Sequence, residues 1–300
     1  MEPLWGIDLG GTKIEGVIIA SRKNPTELTR LRVPTEQEGG YDHIISQIGK
    51  LIQQMKKESG LNPAYVGMGT PGVLEPSTQT MKNCNTTSLL GKPLKKDLEE
   101  RLGITFRMAN DANCFAVAET NLGVVKDVLP DADVVFGIIM GTGVGGGLVV
   151  DGKAIYGKQG IAGEWGHNFL DESGGPCYCG KTGCVETILS GPGLERFYAA
   201  QSGEKRKLKE IINRAREASD PHAVATMDRL IQFFGKGVAY LVNIIDPDAI
   251  VLGGGLGNID ELYTRGVKEV EKHVFNHRLE TLFLRPKLGD SAGVFGAALL

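Results

Sequence analysis

Two short glycine-rich segments constrain this chain more than any other feature: Asp8-Leu9-Gly10-Gly11-Thr12-Lys13 and Gly141-Thr142-Gly143-Val144-Gly145-Gly146-Gly147. Each follows an apolar run, Leu4 to Leu9 or Asp133 to Met140. Each leads into a second run that reads as a strand, Lys13 to Ala20 or Gly147 to Asp151. A strand, a glycine bend and a returning strand make a hairpin. Glycine there supplies positive φ and lets the backbone approach a ligand closely. The same plan in two matching contexts predicts a duplicated architecture with two similar halves. A third turn, Gly253-Gly254-Gly255, follows the strand expected at Ala249 to Leu252. Glycine makes up 42 of the 300 residues, about twice the usual ~7%, and it is clustered rather than scattered.

The segments between the turns alternate in period. Ile45, Ile48, Ile52 and Met55 fall on one face of a helix expected over Asp42 to Ser59, with Gly60 as its stop. Leu94, Leu98 and Leu102 mark another that ends at Gly103, and Asp111 to Leu122 a third. Val224 to Ile245 repeats its apolar residues at helical spacing behind Asp220-Pro221, an N-cap and first-turn proline. Strands expected at Tyr65 to Gly69 and Ile104 to Ala109 separate the helices. Strands alternating with helices define an α/β protein with central sheets.

Backbone N–H groups converging in such turns make an anion cradle, to which the Thr12 and Thr142 hydroxyls can add donors. Asp8 beside the first cradle is the carboxylate expected to partner a phosphate-bound magnesium ion. Neither hairpin is GxxxxGK[ST], nor a GxGxxG at a strand-to-helix junction, so the common P-loop and dinucleotide folds are excluded. A single glycine turn is most simply a tight hairpin, whereas three in one chain favour phosphate binding.

His167, Cys177, Cys179 and Cys184 form His-x9-Cys-x-Cys-x4-Cys within polar, glycine-rich sequence. Three thiolates and one imidazole complete a tetrahedral zinc site of the structural kind. Three packed free cysteines are the alternative, but nothing around them has the periodicity of a core. Cys84 and Cys114 stand apart and read as ordinary buried thiols. Asp111, in Asn110-Asp111-Ala112-Asn113, reads either as a helix N-cap or as a general base at a strand end near the phosphate turns. Glu164 and Glu186 flank the zinc segment, which could hold them in place without itself touching substrate.

Charge and hydropathy narrow the classes. There are 33 basic and 36 acidic side chains, a net charge of −3, which lacks the basic excess of a nucleic-acid binder. No apolar run approaches the ~18 residues of a membrane span. Glu2 without a preceding basic residue does not open a signal peptide. A few cysteines gathered at one metal site suit a reducing, cytoplasmic compartment.

The combination of Asp8-Leu9-Gly10-Gly11-Thr12-Lys13, Asn110-Asp111-Ala112-Asn113, the Gly141 loop, Glu164-x-Gly-His167 and Cys177-x-Cys-Gly-x-x-Gly-Cys184-x-Glu186 resembles the ROK family of sugar kinases and repressors. The match runs in order over essentially the whole chain. It implies an actin-like ATPase (ribonuclease H-like) fold of two α/β lobes around a central cleft. The smaller lobe is expected at 1–120 and the larger at 121–300, with the zinc loop at 167–184. A C-terminal helix near 291–300 is expected to pack back on the N-terminal lobe. The resemblance makes Asp111 the catalytic base. It assigns Gly72, Asn85, Asn110, Glu164, His167 and Glu186 to the sugar, with His167 turning one ring nitrogen to zinc and the other to the sugar. Gly10, Gly11, Thr12, Lys13, Gly141, Thr142, Gly143, Gly254 and Gly255 join Asp8 at MgATP.

The implied reaction is transfer of the γ-phosphoryl group to a hexose hydroxyl, O6, by a homodimer. Ala162 to Asn168, Pro176 to Lys181 and Lys82-Asn83-x-Asn85 look most like the fructokinase (manno/fructokinase) branch, so fructose or mannose is the first expectation. Asn110 to Ala116 and Gly141 to Leu148 are equally similar to N-acetylglucosamine kinase, which stands with glucokinase as the alternative. A repressor would need a DNA-binding domain where only Met1 to Ile7 precede Asp8. A sugar sensor or a filament former would have no use for Asp111 beside the phosphate turns or for zinc-linked acids.

Overall fold

The computed structural model describes residues 2–300. β1 (Leu4–Leu9) and β2 (Lys13–Ile19) pair antiparallel through the first glycine turn, where the Gly10 N–H donates to Lys13 O at 3.0 Å. β3 (Glu27–Pro34) adds to β2, and α1 (Gly40–Ser59) follows. Its Ile45, Ile48, Ile52 and Met55 are all buried, as their spacing requires. Gly60 ends it with φ 70°, donating to Lys56 O, the left-handed C-terminal stop. β4 (Tyr65–Thr70) runs parallel to β1, and a two-residue ladder of β5 (Val73–Leu74) and β6 (Met81–Lys82) hangs beyond it. Then come α2 (Leu94–Leu102), β7 (Thr105–Asn110) parallel to β4, α3 (Asp111–Asn121) and α4 (Val124–Val128). The sheet order is β3-β2-β1-β4-β7.

The second sheet repeats this plan. β8 (Val134–Met140), β9 (Val144–Val150) and β10 (Lys153–Ala154) precede α5 (Val185–Leu189), α6 (Gly191–Ser202), α7 (Leu208–Arg216) and α8 (Pro221–Ile245). β11 (Ala249–Gly253), α9 (Val267–Glu271), β12 (Leu282–Leu284) and α10 (Ala292–Ala298) complete the chain. The order is β10-β9-β8-β11-β12, with β8, β11 and β12 parallel. In both sheets a three-stranded turn-back is followed by two parallel strands, which is the duplication the two hairpins announce. Asp220 caps α8 by accepting from the His222 and Ala223 N–H groups, as the Asp-Pro signal predicts. β9 resumes at Val144, three residues before the sequence expectation, because the glycines after it pair as strand residues.

The chain divides into two compact units. One comprises Met1–Pro130, Gly147–Gly163 and Lys287–Leu300; the other comprises Asp131–Gly146 and Glu164–Pro286. The chain therefore passes from one unit to the other within β9. In the first unit α10 rests on β1, and a Cβ on Gly6 would stand 2.6 Å from the Ala298 nitrogen. That close approach explains a glycine in the middle of a buried strand. Among the described residues no helix is long and apolar enough to cross a membrane.

Candidate active site

In the first unit the sheet gathers the acids. Asp8 and Glu15 face each other across β1 and β2, and Glu15 faces Arg32 across β2 and β3. Asp111 opens α3 directly after β7. Burial, then the nearby Asp111 and Glu15 charges, push the Asp8 carboxyl up to about 6, while Lys13 pulls the other way. Asp111 is open to solvent at its surface, yet the mass of protein around it raises its pKa. Its own amide and the Ala112 N–H, 2.8 Å from Oδ1, oppose the rise. A carboxylate with a raised pKa is a better proton acceptor than an ordinary surface acid. The helix cap is Asn110 rather than Asp111: its side-chain oxygen accepts from the Asn113 N–H at 2.8 Å, which leaves Asp111 without that duty.

The remaining first-unit candidates have distinct environments. Thr12 and Lys13 are exposed at the hairpin, and Lys13 Nζ lies 3.3 Å from Glu15 Oε2. Glu15, which sequence reasoning overlooked, is buried and also paired to Arg30 and Arg32 at 2.6 and 3.0 Å. Burial raises its carboxyl, but the hydrogen bonds and charges of Arg32 and Arg30 together outweigh that and hold it below the ordinary range. Gly72 is buried, and its carbonyl accepts from Thr70 Oγ1. Asn85 is exposed, with its amide donating to Pro71 O at 3.2 Å. Cys84 and Cys114 are buried, and burial pushes the Cys84 thiol to about 11 and the Cys114 thiol well above its usual value.

In the second unit the turn between β8 and β9 is closed by the Gly141 N–H donating to Gly143 O at 2.9 Å. None of Gly10, Gly11, Gly141 and Gly143 has the positive φ expected of them. At Gly143 a Cβ would sit 2.5 Å from Glu186 Oε2, so a larger residue there would have to displace that carboxylate. That same oxygen accepts the Val144 N–H at 2.9 Å. Gly254 does need glycine, with φ 77° at the end of β11. Gly141, Thr142 and Gly255 line a cavity of about 750 Å³ whose apolar wall includes Leu208, Ile212 and Leu256. The size suits a nucleotide. No motif marked α7 as part of this wall, although Leu208 and Ile212 have the i, i+4 spacing of a helix face.

The metal candidates come together. The ligand atoms of His167, Cys177, Cys179 and Cys184 all lie within 4.8 Å of one another. Cys177 Sγ is 3.6 Å from His167 Nδ1, and Cys179 Sγ is 3.6 Å from Cys184 Sγ. Those separations fit a tetrahedron around an ion with Zn–S near ~2.3 Å and Zn–N near ~2.0 Å. Left-handed Gly175, Gly180 and Gly183 fold the segment into a knuckle. Trp165 fixes the segment to α8, its Nε1–H donating to Gly237 O at 3.1 Å. The knuckle runs straight into α5: Cys184 precedes its first turn, and Glu186 lies in that turn. A candidate metal-ligating cysteine is thus two residues from the acid that braces the Gly141 hairpin. His167 Nε2 meets Tyr178 Oη at 3.0 Å, a partner not anticipated from the sequence.

Fold and site together define an α/β protein of the actin-like ATPase class, with duplicated hairpins and a nucleotide-sized cavity at one of them. The sequence model of the ROK family matches residues 4–300, and the chain belongs to that family. It is 37% identical over 306 residues to the N-acetyl-D-glucosamine kinase of Aliivibrio salmonicida (strain LFI1238), covering 99% of this chain and 98% of that protein. The N-acetyl-D-glucosamine kinase of Vibrio cholerae serotype O1 is 36% identical with the same coverage. Among solved structures, a ROK hexokinase from Thermus thermophilus superposes with a TM-score of 0.88 at 30% identity, over 99% of this chain and 97% of that one. A ROK family glucokinase from Streptomyces griseus, crystallised with glucose and AMPPNP, gives 0.76 at 29% identity, over 99% and 98%.

Proposed function

We propose that this protein phosphorylates N-acetylglucosamine, with glucose as the second candidate acceptor. The broader class, an ATP-dependent sugar kinase, follows from family membership and from near full-length likeness to named sugar kinases. The single observation that carries the acceptor is the 37% identity over almost the entire chain to an N-acetyl-D-glucosamine kinase. It displaces fructose and mannose, which short motifs around Ala162, Pro176 and Lys82 had favoured. Glucose stays in view because of the likeness to the glucokinase bound to glucose.

In this reading Asp111 takes the proton from the attacking hydroxyl, most simply O6. Its raised pKa and its release from capping support that role. Transfer is then chiefly a matter of position and charge neutralisation. Amides of the Gly10 and Gly141 turns hold the phosphates, with Thr12, Thr142 and Lys13 adding donors, and Gly254 and Gly255 border the nucleoside. Asp8 is the carboxylate suited to hold a nucleotide-bound magnesium ion, which would neutralise phosphate charge.

Asn110, Glu164, His167 and Glu186 are assigned to the sugar hydroxyls, with Gly72 and Asn85 contributing at the edge. The fit of four ligand atoms supports zinc at His167, Cys177, Cys179 and Cys184. Zinc there would hold the knuckle rigid, and the residues around it do the binding. A reducing cytoplasm suits such a thiolate site, and a homodimer is the assembly the family resemblance implies. The deciding experiment is a panel of hexoses compared by kcat/KM with ATP. N-acetylglucosamine should lead; leadership by fructose or mannose would reverse the assignment.

A further inference from the structure

The nitrogen of His167 that would meet the sugar already has a partner. Nδ1 faces Cys177 Sγ, while Nε2 lies 3.0 Å from Tyr178 Oη. The two rings stand edge to face, 5.1 Å apart at an interplanar angle of 87°. Tyr178 projects from the knuckle between Cys177 and Cys179, whose backbone is fixed by the Cys177 N–H to Lys181 O and the Gly180 N–H to Cys177 O. The ring is 69% exposed, so swinging it outward sacrifices little buried apolar area. Burial, and after it the Glu186 and Glu164 charges, push its hydroxyl up to about 12. Tyr178 thus occupies the imidazole nitrogen assigned to the sugar.

An imidazole that ligates a metal through Nδ1 is neutral and carries its proton on Nε2. That N–H needs an acceptor when no sugar is present. A phenol and a sugar alcohol have the same hydrogen-bonding inventory, one donor and two acceptor lone pairs. We propose that Tyr178 stands in for the substrate: in the sugar-free protein its hydroxyl accepts from His167 Nε2, and a hexose hydroxyl displaces it on binding. The inference rests on the assignment of His167 to the sugar. Exchange of one hydroxyl for another keeps the imidazole satisfied throughout. It also lowers apparent affinity, because only the fraction of molecules with Tyr178 swung away can bind.

The test is calorimetric titration with N-acetylglucosamine and with glucose, following whichever binds the wild-type protein more tightly. Tyr178→Phe removes the competing oxygen and keeps the ring. Binding should tighten by about two- to tenfold, the size of one net hydrogen bond, with metal content and Tm unchanged. In a 15N-histidine spectrum the His167 resonance should move in sugar-free Tyr178→Phe, an effect that a tyrosine serving only to pack the knuckle would not produce. Unchanged or weakened binding in Tyr178→Phe overturns the stand-in role. Glu164→Gln, titrated in parallel, should weaken binding. Wild-type affinity in that variant, or no binding of either sugar to the wild type, overturns the sugar-site reading itself.

Discussion

Glu186 Oε2 accepts the Val144 N–H at 2.9 Å, so the acid two residues past the last cysteine braces the second glycine hairpin. A residue proposed for the sugar is therefore also a support for the hairpin proposed to hold the phosphates. Glu186→Ala should raise KM for both ATP and sugar by about 10–100-fold, the scale of a charged hydrogen bond. Glu164→Gln should raise KM for the sugar alone. Equal effects of the two variants on ATP would show that the brace has no functional consequence.

Asp111→Asn keeps the shape of the side chain and removes the proton acceptor. We expect kcat to fall by ~100-fold or more, while calorimetry finds sugar affinity within a few-fold of wild type. Turnover near the wild-type value would remove Asp111 from the chemistry.

The raised acids set a pH dependence. Asp8, pushed to about 6, and Asp111, shifted in the same direction, must both be ionised in the roles proposed for them. The acid limb of kcat/KM should accordingly lie well above the usual carboxylate range, with activity lost as pH falls through about 6. Stability runs the opposite way. A folded-state pKa above the unfolded value favours folding at low pH, and that contribution is lost as pH rises from about 4 to about 6. Asp8→Asn should then raise Tm at pH 7, by ~2–4 °C for each kcal/mol recovered, while impairing use of MgATP. A lower Tm at pH 7 would contradict the direction of this shift.

Elemental analysis should find one zinc per chain, and Cys179→Ser should lose it. The expected kinetic signature is a rise in KM for sugar larger than any change in kcat, since the metal acts through the positions of Glu186 and His167. Full activity in metal-free protein would separate the knuckle from substrate binding.

Glu119 is fully buried and accepts three backbone N–H groups, those of Val124, Lys287 and Leu288, at 2.8–3.0 Å. It thereby fastens the returning C-terminal segment to the end of α3 inside the first unit. Glu119→Ala strands all three amides, and chemical denaturation should register a loss of ~3–5 kcal/mol. A loss under ~1 kcal/mol would mean that water takes over the three bonds.

Much of this molecule could be read along the chain. The helical faces of α1 and α8, the Asp220 cap, the Gly60 stop and the paired hairpins are local signals. They depend on period, cap chemistry and backbone freedom within a few residues, so they survive in one dimension. The clustering of His167, Cys177, Cys179 and Cys184 was legible for the same reason, since the cysteines lie within one tight knuckle and His167 lies just ahead of it. What could not be read were relations made by distant segments. Asn110 rather than Asp111 caps α3, Glu15 collects cations from a neighbouring strand, and Leu208 and Ile212 wall the cavity beside Gly141.

Sequence by itself determined the α/β alternation and the duplicated glycine hairpins, and it singled out the four clustered His and Cys side chains and the acid of the Asn-Asp-Ala-Asn segment as candidates. Tertiary structure decided what each acid is free to do. Packing raised Asp8 and Asp111, cations from β3 lowered Glu15, and contact with Val144 turned Glu186 into a brace. Electrostatic free energy depends on the whole surroundings of a group, which chain order does not encode.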